Sequence, residues 1–334
     1  QHGSLPHLPF IFRQLFIDGH RYIYARSPNE GQYHTVSGVP TQGEGTAKDR
    51  FVYKPGDLEP WPNIGDVELR LYFSWNAGGF PLQSLDTEHN IAVLGGPAAW
   101  SIPKPGMTTA PFLVFNPPGA CDAPGEWQLD RTGGELRVIP FGNEDLSNAQ
   151  VIAPVHERLV VAQGSPADAR YVEHIRFEGL SFQHAAWDLP DEGYSAPQAA
   201  STLGAALEFH AARDCALTDC EIAHVGRYGV WFAPDSSDNI IQRAHCHDLG
   251  AGGMKIGAPD RSLPFERIAN HNTIENCFIH DGGHIHPGAT GIFVAIARNI
   301  TITHNEVSDL RYTGISLGWN WSTNRSGTRE NLVE

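Results

Sequence analysis

CEIAHVGRYGVWF (220–232) and AHCHDLGAGGMKI (244–256) carry one pattern twice, 24 residues apart. Small or apolar residues hold the first and third places and His or Asp the fifth. Five residues later comes a glycine with an alternating apolar pair: Gly229 with Val230 and Phe232, then Gly253 with Met254 and Ile256. Outward from this pair the opening motif recurs as LSFQH (180–184), CFIHD (277–281) and NEVSD (305–309), and Gly314 with Ile315 and Leu317 completes the last copy. After Asp281 the glycine, Gly291, arrives five residues late, as if HIHPG had been inserted. The fifth-place residues are spaced by 40 (His184 to His224), 24 (to Asp248), 33 (to Asp281) and 28 (to Asp309). A unit near 24 with insertions fits one coil of a solenoid. A third segment per coil also aligns: ARDCALTDC, SDNIIQRAH, NHNTIENC and ARNITITHN, each with turn-forming Asp, Asn or His ahead of its apolar residues. Three short strands per coil, without the leucine offsets or the 3.6-residue period of other repeats, predict a right-handed parallel β-helix over 171–334. Its interior column is read as Phe182, Ile222, Cys246, Ile279 and Val307.

Before about Tyr171 no such unit is visible. RQLFIDGHRYIYAR reads as a hairpin turning at Asp18-Gly19, VELRLYFSW (67–75) as a strand, and EWQLDRTGGELRVIP as a second hairpin turning at Gly133-Gly134. Pro/Gly-rich stretches between them read as loops. Residues 1–165 are therefore expected to form a β-sandwich or barrel-like module, and the chain as a whole to be all-β. Composition agrees, with 334 residues, 35 Gly, 24 Pro and only 18% charged side chains. A formal charge of −15 and four lysines argue against a nucleic-acid partner. No apolar run approaches the roughly 18 residues of a membrane span. The five cysteines are odd in number and fall in repeat columns, which favours buried thiols over disulfides or metal ligands.

Four segments, RQLFIDGHRYIYARSPN, FLVFNPPGACDAPGEWQLDRTGGELRVIP, AQVIAPVHERLVV and the terminal GISLGWNW, in this order, resemble glycoside hydrolase family 141 and its relatives. The resemblance implies secreted or periplasmic β-helix enzymes acting on plant cell-wall or microbial glycans, with α-L-fucosidase and xylanase activities among them. Members of that family extend further at both ends, so a fragment or a processed chain is expected.

The chemistry is sought in the fifth-place column. Neighbouring coils stack at about 4.8 Å. Retaining glycosidases hold their two carboxyls about 5–5.5 Å apart and inverting ones about 6.5–9.5 Å. Asp281 and Asp309 are therefore the candidate catalytic pair, needing no cofactor, with Asp248 and His224 continuing the column as substrate contacts. The competing reading is that Asp at a strand end only shapes a turn. Trp231, Lys255, Phe293 and Ser316 occupy an outward column. Trp231 and Phe293 there, with Trp319 and Arg311 nearby, are the expected sugar contacts, although a covering loop would also account for outward aromatics. His245, His247, His280, His284 and His286 cluster near the column, but no Cys/His spacing matches a structural zinc site, and no metal is expected. Insertions at about 186–204 and 258–268 are expected to wall the cleft. Two alternatives remain. A polysaccharide lyase would use Lys255 or Arg311, with Ca²⁺ as its possible cofactor, and a non-catalytic solenoid would bind carbohydrate or serve in adhesion.

Overall fold

A computed structural model describes residues 2–4, 11–40, 47–131, 133–321, 323 and 326–334. The chain divides into two compact units, one of residues 1–153 with 188–197 and the other of 154–187 with 198–334. Among the described residues, all regular structure is strand apart from four short 3-10 turns. No helix of the described residues is long and apolar enough to cross a membrane.

The first unit contains a six-stranded and a seven-stranded sheet, antiparallel apart from one parallel pair. Asp18 and Gly19 both take positive φ, as a two-residue hairpin between Leu15–Ile17 and His20–Tyr24 requires. Glu126–Asp130 and Glu135–Val138 form the second hairpin, and Glu68–Phe73 pairs with Asn76–Asp86. Alternation along Glu68–Phe73 buries Leu69, Leu71 and Phe73 on one face, beside Phe51, Phe80 and Phe112.

The second unit is a right-handed parallel β-helix with three long sheets. The rear sheet stacks Arg176–Glu178, Ala216–Thr218, Ile240–Gln242, Thr273–Glu275, Thr301–Thr303 and Leu332–Val333. The histidine sheet stacks Ser181–Ala185, Glu221–Val225, His245–Leu249, Phe278–Ile279 and Glu306–Val307. The covered sheet stacks Val160–Gln163, Ala205–His210, Tyr228–Phe232, Met254–Ile256, Ile292–Val294 and Ile315–Leu317. Phe182 pairs with Ile222, Ile222 with Cys246, Cys246 with Ile279 and Ile279 with Val307, so the expected interior column is one continuous stack. Leu217, Ile241, Ile274 and Ile302 face it from the rear sheet, and Val230, Met254 and Ile292 from the covered sheet. All five cysteines are free, and Cys215, Cys220, Cys246 and Cys277 are buried.

The corners explain the repeat. In each of five coils three residues spaced five apart take left-handed backbone: 174, 179, 184; 214, 219, 224; 238, 243, 248; 271, 276, 281; and 299, 304, 309. Their φ values all lie between 47° and 65°. Side chains other than Gly, Asn, Asp and His are scarce in that region, where a typical L-residue pays about 1–2 kcal/mol. Arg243 is the one exception in this grid, and its guanidinium pairs with Asp219 on the coil before. The His and Asp of the fifth-place column are therefore selected first by backbone conformation. Buried Asn239 and Asn272 stabilise another corner, where each side-chain oxygen accepts the backbone N–H of the preceding coil.

Candidate functional site

The fifth-place column lies at the corner leaving the histidine sheet, and its backbone is stacked coil on coil. Leu249 N–H donates to the Asp281 carbonyl at 2.9 Å and Gly282 N–H to the Asp309 carbonyl at 3.3 Å. The HIHPG insertion folds back onto the adjacent coil through bonds from Ile285 and His286 N–H to the Gly250 carbonyl. That fold places the His284 ring between two carboxylates. His284 Nε2 lies 3.0 Å from Asp281 Oδ1 and 3.4 Å from Asp248 Oδ1, and Asp248 Oδ2 is 2.5 Å from His224 Nδ1. One donor atom each from Asp248, Asp281 and His284 lies within 4.8 Å of the others. Asp248 is buried, whereas the Asp281 side chain is 52% exposed. The His284 hydrogen bond holds the Asp281 carboxyl below the usual carboxylate range, outweighing partial burial and the Asp248 charge, which push the other way. His224 stacks on His184 with ring centroids 4.9 Å apart.

Asp309 is exposed at the next coil, followed by exposed Arg311, whose aliphatic stem lies against Gly283. Both ends of the long insertion border this corner. Trp187 packs edge-on against His286 at 4.6 Å, and Gln198 Nε2 bonds the Tyr312 hydroxyl at 3.2 Å. The fold thus brings His224, Asp248, Asp281, Asp309 and Arg311 to one corner.

The aromatic contacts expected from the sequence are elsewhere. Phe293 is fully buried and Lys255 nearly so, because residues 198–204 lie over the outer face of the covered sheet. Lys255 Nζ donates to the carbonyls of Ser201 (2.8 Å) and Leu203 (2.6 Å), and Tyr228 OH to that of Ala199 (2.9 Å). Trp231 donates its indole N–H to the Gly257 carbonyl and lies beneath the Lys255 ammonium. Trp319 stands edge-on to Phe293 at 4.7 Å and bonds Ser316. Phe293 is therefore not a sugar platform, and the outward column of this sheet is a second, covered core. Burial pushes Lys255 down to about 7, but a lysine sealed under a loop has no path to a substrate proton, which removes the lysine base of the lyase reading. The 258–268 insertion also has another role. It lines a cavity of about 440 Å³ with Ile296 and Arg329, and none of the column aspartates borders that cavity.

Alternation along the histidine sheet brings its second and fourth motif places outward, where the clustered His245, His247 and His280 are joined by Glu221 and Phe278, which the repeat pattern alone did not single out. One outward column is Ser181, Glu221, His245, Phe278 and Glu306. The other includes Gln183, Ala223 and His247, with His280 beyond. Phe278 is 37% exposed and stacks on His280 (4.2 Å) and His245 (5.2 Å). The available signal was the period-2 alternation itself.

A family model described as a right-handed β-helix region matches residues 205–332. A solved structure titled "Glycoside hydrolase" superposes with a TM-score of 0.82 at 22% identity, covering 97% of this chain and 63% of its own. This chain thus spans less than two thirds of that protein's length, and the likeness is one of fold. A search of curated proteins found no match.

Proposed function

We propose that this chain is a carbohydrate-active β-helix enzyme that hydrolyses glycosidic bonds of a plant cell-wall or microbial polysaccharide at the aspartate corner. The observation that carries the reading is Asp281, a half-exposed carboxylate kept ionised by His284 in a column with an aspartate on the coil at either side. An ionised, accessible carboxylate suits a nucleophile or general base. Asp309, exposed on the next coil, is assigned as its partner acid. Adjacent-coil spacing of about 4.8 Å lies close to the retaining distance, so retention of anomeric configuration is the expected outcome. Asp248, buried between His224 and His284, is a positioning residue that fixes the His284 ring. Phe278, partly exposed on the adjoining sheet beside His245 and His280, is assigned as an aromatic contact to the sugar. The hydrolase name of the structural neighbour and the segment resemblance to family 141 support the same substrate class.

The test is release of reducing ends from defined cell-wall oligosaccharides, with proton NMR of the nascent anomer. Asp281→Asn and Asp309→Asn should each lower turnover about 10²–10⁴-fold with unchanged circular dichroism. An ultraviolet-absorbing unsaturated product would show a lyase instead. Binding without turnover in every variant and in the wild type would show a non-catalytic solenoid.

A further inference from the structure

The open face of the histidine sheet carries a group that the aspartate corner does not use. Glu221, His245 and His247 come from two neighbouring coils, and one donor atom from each lies within 4.8 Å of the others. His247 Nε2 is 3.0 Å from Glu221 Oε1. His280, on the following coil, has its Nε2 2.8 Å from that of His245. The rings crowd one another, with centroids 4.4 Å apart for His245 and His247 and 5.7 Å for His247 and His280. Outward Ala223, fully buried beneath them, is small enough to let His247 lean across to Glu221 on the coil below.

We propose that Glu221, His245 and His247 form a binding site for one first-row divalent transition cation of the zinc class. Two imidazoles and a carboxylate are a donor set that such ions favour, and a three-ligand site leaves a coordination position open to solvent. The carboxylate is already oriented from behind. Ser181 Oγ and Gln183 Nε2 both donate to Glu221 Oε2, at 2.6 and 2.8 Å, which leaves Oε1 facing the imidazoles. Support of this kind by outer hydrogen bonds is what fixes ligand geometry in metal sites. His280 is a flanking group that holds the outer edge of His245. A hard cation such as Ca²⁺ would prefer an all-oxygen set and is not expected here. The site does not rest on the hydrolase reading, since none of its three ligands belongs to the aspartate corner.

Co²⁺ titration of the full chain tests this, followed by visible absorption, with Zn²⁺ stoichiometry from calorimetry. One equivalent should bind, with intense d–d bands of a low-coordinate ion and a raised melting temperature. His245→Ala, His247→Ala and Glu221→Gln should each weaken binding at least tenfold and abolish the bands. Asp281→Asn and His284→Ala should leave both unchanged, and His280→Ala should weaken binding less than the three ligand variants do. Melting of each variant without metal controls for folding, and His247→Gln serves if the alanine variant unfolds. Retention of wild-type binding in the folded ligand variants would overturn the site. So would loss of binding in His284→Ala rather than His247→Ala, which would move the ion to the aspartate corner.

Discussion

Two sheets of the same β-helix, built from the same repeat, have outward faces of opposite fate. On the covered sheet the outward column runs Glu208, Trp231, Lys255, Phe293, and residues 198–204 seal it. Lys255 and Glu208 are nearly inaccessible there, and Glu208 is held low, against its burial, by His210, the Ala205 N–H and Arg227. On the histidine sheet the outward columns run Ser181, Glu221, His245, Phe278 and Gln183, Ala223, His247, His280, with carboxylate and imidazoles bonded to each other across coils. Large aromatics mixed with one lysine mark a face that another segment covers, while polar side chains of complementary donor type mark a face left open for ligands.

The largest effect is expected at Gly252, beneath the covered sheet's overlying segment. A methyl there would collide with the Thr290 carbonyl oxygen and the Tyr228 ring on the covered side. Gly252→Ala should cost about 4 kcal/mol or prevent folding, as measured by thermal melting. Next comes Lys255→Met, which leaves the Ser201 and Leu203 carbonyls without their donor and should cost about 1–3 kcal/mol. The same lysine gives a pH signature. Its folded value of about 7 lies below the ordinary value near 10.4, so the unfolded chain binds the extra proton between the two. Wild-type stability should therefore gain on Lys255→Met as pH rises from about 7 towards 10, and a pH-independent difference would refute the buried charge. On the open side, His280→Ala should change stability by no more than about 0.5 kcal/mol in metal-free protein.

The coil stack was legible in the sequence because two constraints write it residue by residue. Inward places must be apolar, hence Phe182, Ile222, Cys246, Ile279 and Val307, and left-handed corners must be Gly, Asn, Asp or His. The second constraint also misled. It puts Asp and His at every corner whether or not they react, as at Asp219 in the neighbouring corner column, whose carboxylate pairs with Arg243. The burial of Phe293 and Lys255 was not legible, because it depends on where residues 198–204 come to lie. The clustered histidines were visible in the sequence, but the meeting of His245 and His247 with Glu221 was not, for a related reason. Linear Cys/His spacing describes ligands on one loop, whereas here the donors meet through coil stacking, 24 residues apart in sequence and adjacent in space.

If one corner position serves backbone and chemistry at once, glycine substitution separates the two. Glycine accepts left-handed φ without strain, so Asp281→Gly and Asp219→Gly should both melt within about 1 kcal/mol of wild type. The measurement is turnover of these two variants on the same cell-wall oligosaccharide. A loss of about 10²–10⁴-fold is expected for Asp281→Gly and none for Asp219→Gly. Wild-type turnover in a folded Asp281→Gly variant would contradict it and reduce the aspartate column to a device for turning corners.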